Sequence, residues 1–193
     1  MRNFLTALAI ASFFLSPLTA QAQLTKKSID TPNNSYYVEA GMANLNITNI
    51  GVNSGTSGTF IGKLGWNVRP YLATEFLAGA GVYDARYNAS TGTAVLTTVN
   101  HIYGIYAKPR YQNGNWGLFA RLGFDHINAK PTVNTGACIT ASATCNFGSS
   151  ITYGIGAQYS LSQSFFAQID WMSYYNKGNS SVKGPSASIG MGF

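Results

Sequence analysis

Few residues in this chain could carry chemistry: two histidines, two cysteines, six acids and twelve basic side chains among 193 residues. His101 and His126 are far apart in sequence, each on or beside a predicted strand end. A hydrolytic site would need a nucleophile for one of them to activate. In the stretch FDHINAK, the residue two after His126 is Asn128, and no glutamate follows Glu75. No catalytic residue is assigned, and the chain is read as a non-enzyme. Cys138 and Cys145 enclose ITASAT. An exported chain with two close cysteines is expected to join them in a disulfide, which would stabilise by roughly 2–3 kcal/mol in the chain-entropy picture. Two thiols alone do not make a metal site, so neither metal nor cofactor is expected. No glycine-rich turn follows a strand and opens a helix, which leaves nucleotide binding without support. The net charge is +6, but the basic residues are dispersed, which argues against a nucleic-acid partner.

Other charges fall on strands. In TFIGKLGWNVRPYLATEFLAGAG, starting at Thr59, one face carries Phe60, Leu64, Trp66 and Val68, and the other Lys63 and Arg69. After Pro70, Leu72, Phe76 and Ala78 alternate with Glu75 and Leu77. Period 2 makes this two strands joined by a tight turn. Six further stretches repeat the pattern, giving eight segments of about ten residues each, the length of a tilted membrane strand.

Charged residues make up 9% of the chain, against about 25% in soluble domains. The N-terminus has a basic start at Arg2, an apolar run over 4–15 and small residues at Ala20 and Ala22. This pattern is that of a secretory signal peptide over 1–22, followed by a short periplasmic segment over 23–34 and a barrel domain over 35–193. No later stretch approaches the ~18 consecutive apolar residues of a membrane helix. Low charge, strand alternation and 26 aromatic residues in the composition (Tyr 12, Phe 11, Trp 3) therefore predict an all-β fold, an eight-stranded antiparallel transmembrane up-and-down β-barrel. Short turns are expected at 69–71, 112–115 and 160–164. Longer loops are expected at 46–57, 84–97, 127–148 and 175–185, with both termini on the short-turn side. Pro109 inside the fourth segment predicts a bulge or an early end to pairing.

The signal peptide, the eight segments, the loop rhythm and the terminal SIGMGF resemble small bacterial outer-membrane β-barrel proteins of the OmpA/OmpX type. The resemblance implies an outer-membrane location, contact with outer-membrane lipid and lipopolysaccharide, and a C-terminal signal, Met191 and Phe193, read by the barrel-assembly machinery. Ser188 stands where that signal usually has glycine. The sequence near His126 also superficially resembles the lipid A deacylases, which are barrels with a serine–histidine–acid site, but Asn128 stands in the serine's place.

An eight-stranded barrel is just wide enough for side chains to fill it. If the apolar faces meet lipid, then Glu39, Lys63, Glu75, Lys108, Arg121 and Asp170 meet inside as a network of three positive and three negative groups. Counting from the turns places Glu39 opposite Lys63, and Glu75 opposite Gly65 and diagonal to Lys63, with the glycine leaving room for that reach. The network either plugs the barrel or gates a narrow ion path. Inward Gly117, Gly123, Gly154, Gly156, Gly190 and Gly192 would leave space for water. Aromatic belts are expected from Tyr71, Tyr111, Trp116, Phe165 and Phe193 at the turn end, and from Tyr83, Tyr87, Tyr174 and Tyr175 at the loop end. Arg86, Lys130, Lys177 and Lys183 on the loops, with few acids beyond Asp84 and Asp125, could meet lipopolysaccharide phosphates or anionic polymers of a host or cell surface. The function expected is structural and surface-interacting. A narrow porin is the alternative, followed by an adhesin, a soluble ligand-binding barrel and a lipid A-modifying enzyme.

Overall fold

A computed structural model describes residues 35–49, 52–83, 85–88, 94–133, 148–178 and 180–193. The proposed signal peptide, the 23–34 segment, Cys138 and Cys145 lie outside the described residues. So do the side chains of Arg86, Tyr87 and Lys130.

The described strands are β1 (Tyr36–Asn49), β2 (Val52–Arg69), β3 (Leu72–Tyr83), β4 (Ala85–Asn88), β5 (Ala94–Asn113), β6 (Trp116–Val133), β7 (Gly148–Ser160), β8 (Phe165–Lys177) and β9 (Ser180–Gly192). Neighbours pair antiparallel in the order β3-β2-β1-β9-β8-β7-β6-β5, and a β3–β5 pairing closes the ring. The short β4 pairs with the start of β5, so nine segments occupy eight wall positions. Closure leaves the eight-position wall without an edge strand, as a lipid environment demands. The N- and C-terminal strands are tied together at the turn end, where the Phe193 amide donates to the Tyr36 carbonyl at 2.9 Å.

The alternation resolves as an apolar exterior. Leu64 (59% exposed), Phe76 (49%), Leu118 (63%) and Ile169 (65%) all point out of the barrel, where hydrocarbon rather than water would cover them.

Several boundaries differ from expectation. The strands run past the lipid-facing band, so 46–57 and 175–185 are mostly paired strand rather than loop. The β8–β9 connection is a tight turn with Gly178 at φ +60°, a conformation glycine adopts without steric cost. Pro109 neither bulges nor ends β5. It pairs with Leu72 on the β3 side, and pairing with β6 resumes in unchanged register at Arg110. A register shift between Ser173 and Tyr175 turns consecutive residues inward, so Tyr174 and Tyr175 are buried instead of joining the outer belt. Bulges break the period-2 count in this way. Tyr71, Tyr111, Trp116, Phe165, Phe193 and Tyr83 do face outward.

Candidate functional site

The lumen is filled in layers. Nearest the short turns, Tyr37, Ala73 and Phe166 form a small apolar cluster. Toward the loop end, Leu45, Ile47, Ile61, Leu77, Val99 and Ile102 belong to a larger one. Between them lie the charges.

Each of the six charged side chains comes from a different strand and reaches the axis because its position has inward parity. All are 6% exposed or less. Lys63 Nζ lies 3.1 Å from Glu39 Oε2 and 3.4 Å from Asp170 Oδ2. Lys108 Nζ lies 3.3 Å from Glu39 Oε1 and 2.8 Å from Glu75 Oε1. The Arg121 guanidinium is the hub. It donates to Glu75 and Asp170 through Nε and Nη1, and its Nη2 lies 3.8 Å from Glu39 Oε2. The planar five-donor fork of arginine suits such multiple carboxylate contacts better than an ammonium would. Three cations against three carboxylates leave the layer neutral, which limits the desolvation cost of burying them.

Glu39 does lie opposite Lys63, and Glu75 opposite Gly65. The expected Lys63–Glu75 contact is replaced: Glu75 takes Lys108 and Arg121, while Lys63 takes Glu39 and Asp170. Gly65 makes room for a different group. A Cβ there would sit 2.0 Å from the ring of Tyr37, whose hydroxyl donates to Glu75 Oε1 at 2.6 Å.

The polar partners that complete the layer are uncharged, and a search by charge passes over them. Gln168 Nε2 donates to Glu39 Oε2 at 2.6 Å, and Gln168 Oε1 accepts from Lys108 at 3.2 Å. Ser186 Oγ donates to Asp170 Oδ1 at 2.5 Å, and Ser188 Oγ to Glu39 Oε2 at 3.3 Å. The Phe119 ring lies under both Lys108 Nζ and Arg121 Cζ, each 4.5 Å from its centroid, a cation–π geometry. Their signal in the sequence is inward parity at the height of the charges.

Three of the six inward glycines, Gly154, Gly156 and Gly190, lie against side chains of facing strands. A Cβ on Gly156 would come within 2.4 Å of the Phe119 ring, on Gly190 within 2.1 Å of the Phe166 ring, and on Gly154 within 2.2 Å of Met172 Sδ. Asp125, expected among the loop charges, is 2% exposed and turned into the lumen. There it accepts a hydrogen bond from the Tyr106 hydroxyl.

The histidines are on the outer wall. Tyr103 stacks against both, with ring centroids 6.0 Å from His101 and 5.0 Å from His126. His126 Nδ1 lies 3.1 Å from Ser149 Oγ, a hydroxyl from the neighbouring strand that the linear stretch FDHINAK does not contain. Every carboxylate among the described residues (Glu39, Glu75, Asp125 and Asp170) faces the lumen, so none bonds to either imidazole. Of the expected rim cations, Lys177 and Lys183 are exposed. Met191 and Phe193 face outward, with Phe193 stacked on Tyr36 at 6.4 Å.

Known structures share this architecture at low sequence identity. The attachment invasion locus protein Ail of Yersinia pestis aligns over 83% of this chain and 99% of its own, with 15% identity and a TM-score of 0.57. A second structure of Ail is a complex with the heparin analogue sucrose octasulfate. Neisserial surface protein A aligns over 82% of this chain and 97% of its own, at 14% identity and a TM-score of 0.57. The N-terminal β-barrel domain of Pseudomonas aeruginosa OprF aligns over 83% and 98%, at 11% identity and a TM-score of 0.53. A comparison with curated protein sequences finds no match. Residues 5–193 match the family described as outer membrane protein beta-barrel domain. With its greasy wall turned outward and its charges neutralised inside, the chain belongs to this family of bacterial outer-membrane barrels.

Proposed function

We propose that this protein is a sealed barrel that supports the outer membrane and holds its external segments out for surface contacts, rather than a conduit for solutes. The observation that carries this reading is the continuity of the filling. A neutral ion-pair layer lies between two apolar clusters, and three of the glycines expected to line a water path, Gly154, Gly156 and Gly190, lie against a thioether and two rings. An ion entering the lumen would have to break charge pairs and then cross an apolar plug, both costly in a low-dielectric interior. The test is planar-bilayer recording of the refolded protein. The expected trace shows no discrete steps above background. Steps whose size changes in Lys63→Ala or Glu75→Ala would establish the narrow-porin alternative instead.

For the surface contact, the exposed Lys177 and Lys183 favour an anionic partner, with Arg86 and Lys130 as further candidates. Lipopolysaccharide phosphates and sulfated polymers share the required chemistry. Ail, of the same fold, is known in complex with a heparin analogue. Immobilised heparin should retain the protein at low salt and release it as ionic strength rises, with weaker retention for Lys177→Ala/Lys183→Ala. Unchanged retention would remove these lysines from the reading. Three expectations complete the proposal. N-terminal sequencing of exported protein should begin at Gln23. Mass analysis without reductant should show Cys138 joined to Cys145. Deleting Phe193 should slow insertion by the barrel-assembly machinery.

A further inference from the structure

The lumen holds one acid more than the ion-pair layer uses. Glu39, Glu75 and Asp170 meet Lys63, Lys108 and Arg121, whereas Asp125, equally buried, forms no ion pair among the described residues. It projects inward from β6 on the loop side of Arg121, and the facing strand makes room for it. A Cβ on Gly104, its partner on β5, would lie 1.6 Å from Asp125 Oδ1. Oδ1 accepts from the Tyr106 hydroxyl, but Oδ2 is buried without a hydrogen-bond partner. Two further buried oxygens at this level share that condition. Thr152 Oγ1 comes from β7, where Thr152 lies opposite Gly123; it forms no hydrogen bond, yet it is near enough to act on the Asp125 carboxyl. The Tyr174 hydroxyl, turned inward by the β8 bulge, interacts electrostatically with both Asp170 and Asp125, which puts it between the charge layer and the extra acid. The next inward pair toward the loops, Ile102 and Ile127, is apolar and buried, so it offers these oxygens nothing.

We propose that Asp125, Tyr106, Thr152 and Tyr174 hold an alkali cation, sodium or potassium, inside the barrel. A carboxylate buried without a counter-charge is costly. A water molecule would meet the free oxygens but would leave that charge in place. A proton would remove the charge but would add a donor to a single oxygen. A small cation does both. Like calcium and magnesium it is a hard ion that takes oxygen ligands, and carboxylate and hydroxyl oxygens all have lone pairs to give. Charge fixes the class of ion. The buried charged residues are Glu39, Glu75, Asp125 and Asp170 against Lys63, Lys108 and Arg121, so one added positive charge balances the lumen. A divalent ion would overshoot and restore the cost of an uncompensated charge. Among the described residues no group of three or more His, Cys, Asp or Glu is assembled for a transition metal either. Because Ile102 and Ile127 close the site toward the loops, the cation would be enclosed as the barrel folds.

The experiment refolds the protein into vesicles of one zwitterionic phospholipid in sodium, potassium or choline chloride. Equal ionic strength keeps screening constant, and choline, a quaternary ammonium ion, is too bulky for the site. The readout is the temperature at which the compact band on unboiled gels converts to the unfolded one, which a ligand bound only to the folded state raises. The parent protein should convert several degrees higher after refolding in at least one of the alkali salts than in choline chloride. Asp125→Asn, which keeps the shape and removes the charge, should convert at one temperature in all three salts. Thr152→Val and Tyr174→Phe should each shrink the parent's increment, and they keep the test decisive if Asp125→Asn does not fold. Equal temperatures for the parent in the three salts would assign Asp125 a proton instead and overturn the proposal. So would an increment that persists undiminished in Asp125→Asn, or in both hydroxyl variants, because the cation would then act elsewhere.

Discussion

Arg121 and Leu77 both lie inside the barrel at 1% exposure or less, yet they fill it on different terms. Arg121 holds its place because three carboxylates face it, and its stability depends on the completeness of a charge set drawn from several strands. Leu77 holds its place because Ile61, Ile102 and their neighbours fill the space around it, and its stability depends on volume. A charge layer tolerates no missing member, because each survivor is left charged in a poor solvent. An apolar plug loses only the atoms removed and whatever cavity remains. The charge layer should therefore be brittle and the plug graded.

The largest effect expected is at the hub. Arg121→Met keeps an apolar stem of similar length but strips Glu75 and Asp170 of a partner and leaves the layer with a net negative charge. Breaking a buried pair in this way costs about 3–5 kcal/mol, to be read as a shift in the urea midpoint of the barrel folded into vesicles. A shift below about 1 kcal/mol would mean that water reaches these charges, and the two regions would not differ as described. Leu77→Ala comes next, at about 2–4 kcal/mol for lost transfer energy plus a cavity. Ile61→Val, which removes one methyl group from the same cluster, should cost about 1 kcal/mol in the same assay. A plug that responded as steeply to Ile61→Val as to Leu77→Ala would not be graded.

Ease of reading the sequence divides the same two regions. The charge layer was legible because charged residues are rare in this chain and keep inward parity, so Glu39, Lys63, Glu75, Lys108, Arg121 and Asp170 could be gathered by counting from the turns. The plug was not. Ile47 lies in a stretch rich in Asn, Thr and Gly that reads as a loop from residue 46 onward, and Ile127 begins another; paired strands there do not meet lipid, so the apolar exterior that announces a membrane strand is missing. Tyr174 and Tyr175 needed a bulge, and period-2 counting carries no information about bulges. The glycines were assigned to the correct face, but their role was not legible, because whether an absent Cβ leaves room for water or for a ring depends on the facing strand. Gly190 lies beside Phe166, and Gly156 beside Phe119, through pairings no single segment reveals.

Gly190→Ala tests that last point and ranks below the core truncation. A methyl group there must displace the Phe166 ring, so overpacking should cost about 1–3 kcal/mol. If the glycine instead bordered water, alanine would be neutral or slightly stabilising, because glycine has more backbone freedom to lose on folding. A neutral result by urea titration, together with any rise in conductance noise, would reopen the water path along this side of the lumen.

The last comparison runs through the wall. Leu118 and Leu77 are the same residue on opposite faces, one 63% exposed to the membrane side and the other fully enclosed. Truncating either to alanine removes the same apolar atoms from a hydrocarbon-like environment, so the transfer contribution, about 1–2 kcal/mol, should be common to both. The cavity contribution should not be. Lipid chains are as apolar as leucine and mobile enough to flow into the space left at Leu118, whereas the side chains around Leu77 relax only in part. Leu118→Ala should therefore cost less than Leu77→Ala by the cavity term alone. The difference should widen in a bilayer of stiffer, more ordered chains if incomplete lipid filling ever contributes, and should do so by raising the Leu118→Ala cost rather than the Leu77→Ala cost. Equal costs in a fluid bilayer would mean that the lumen wall relaxes as freely as lipid does, which a close-packed plug cannot do.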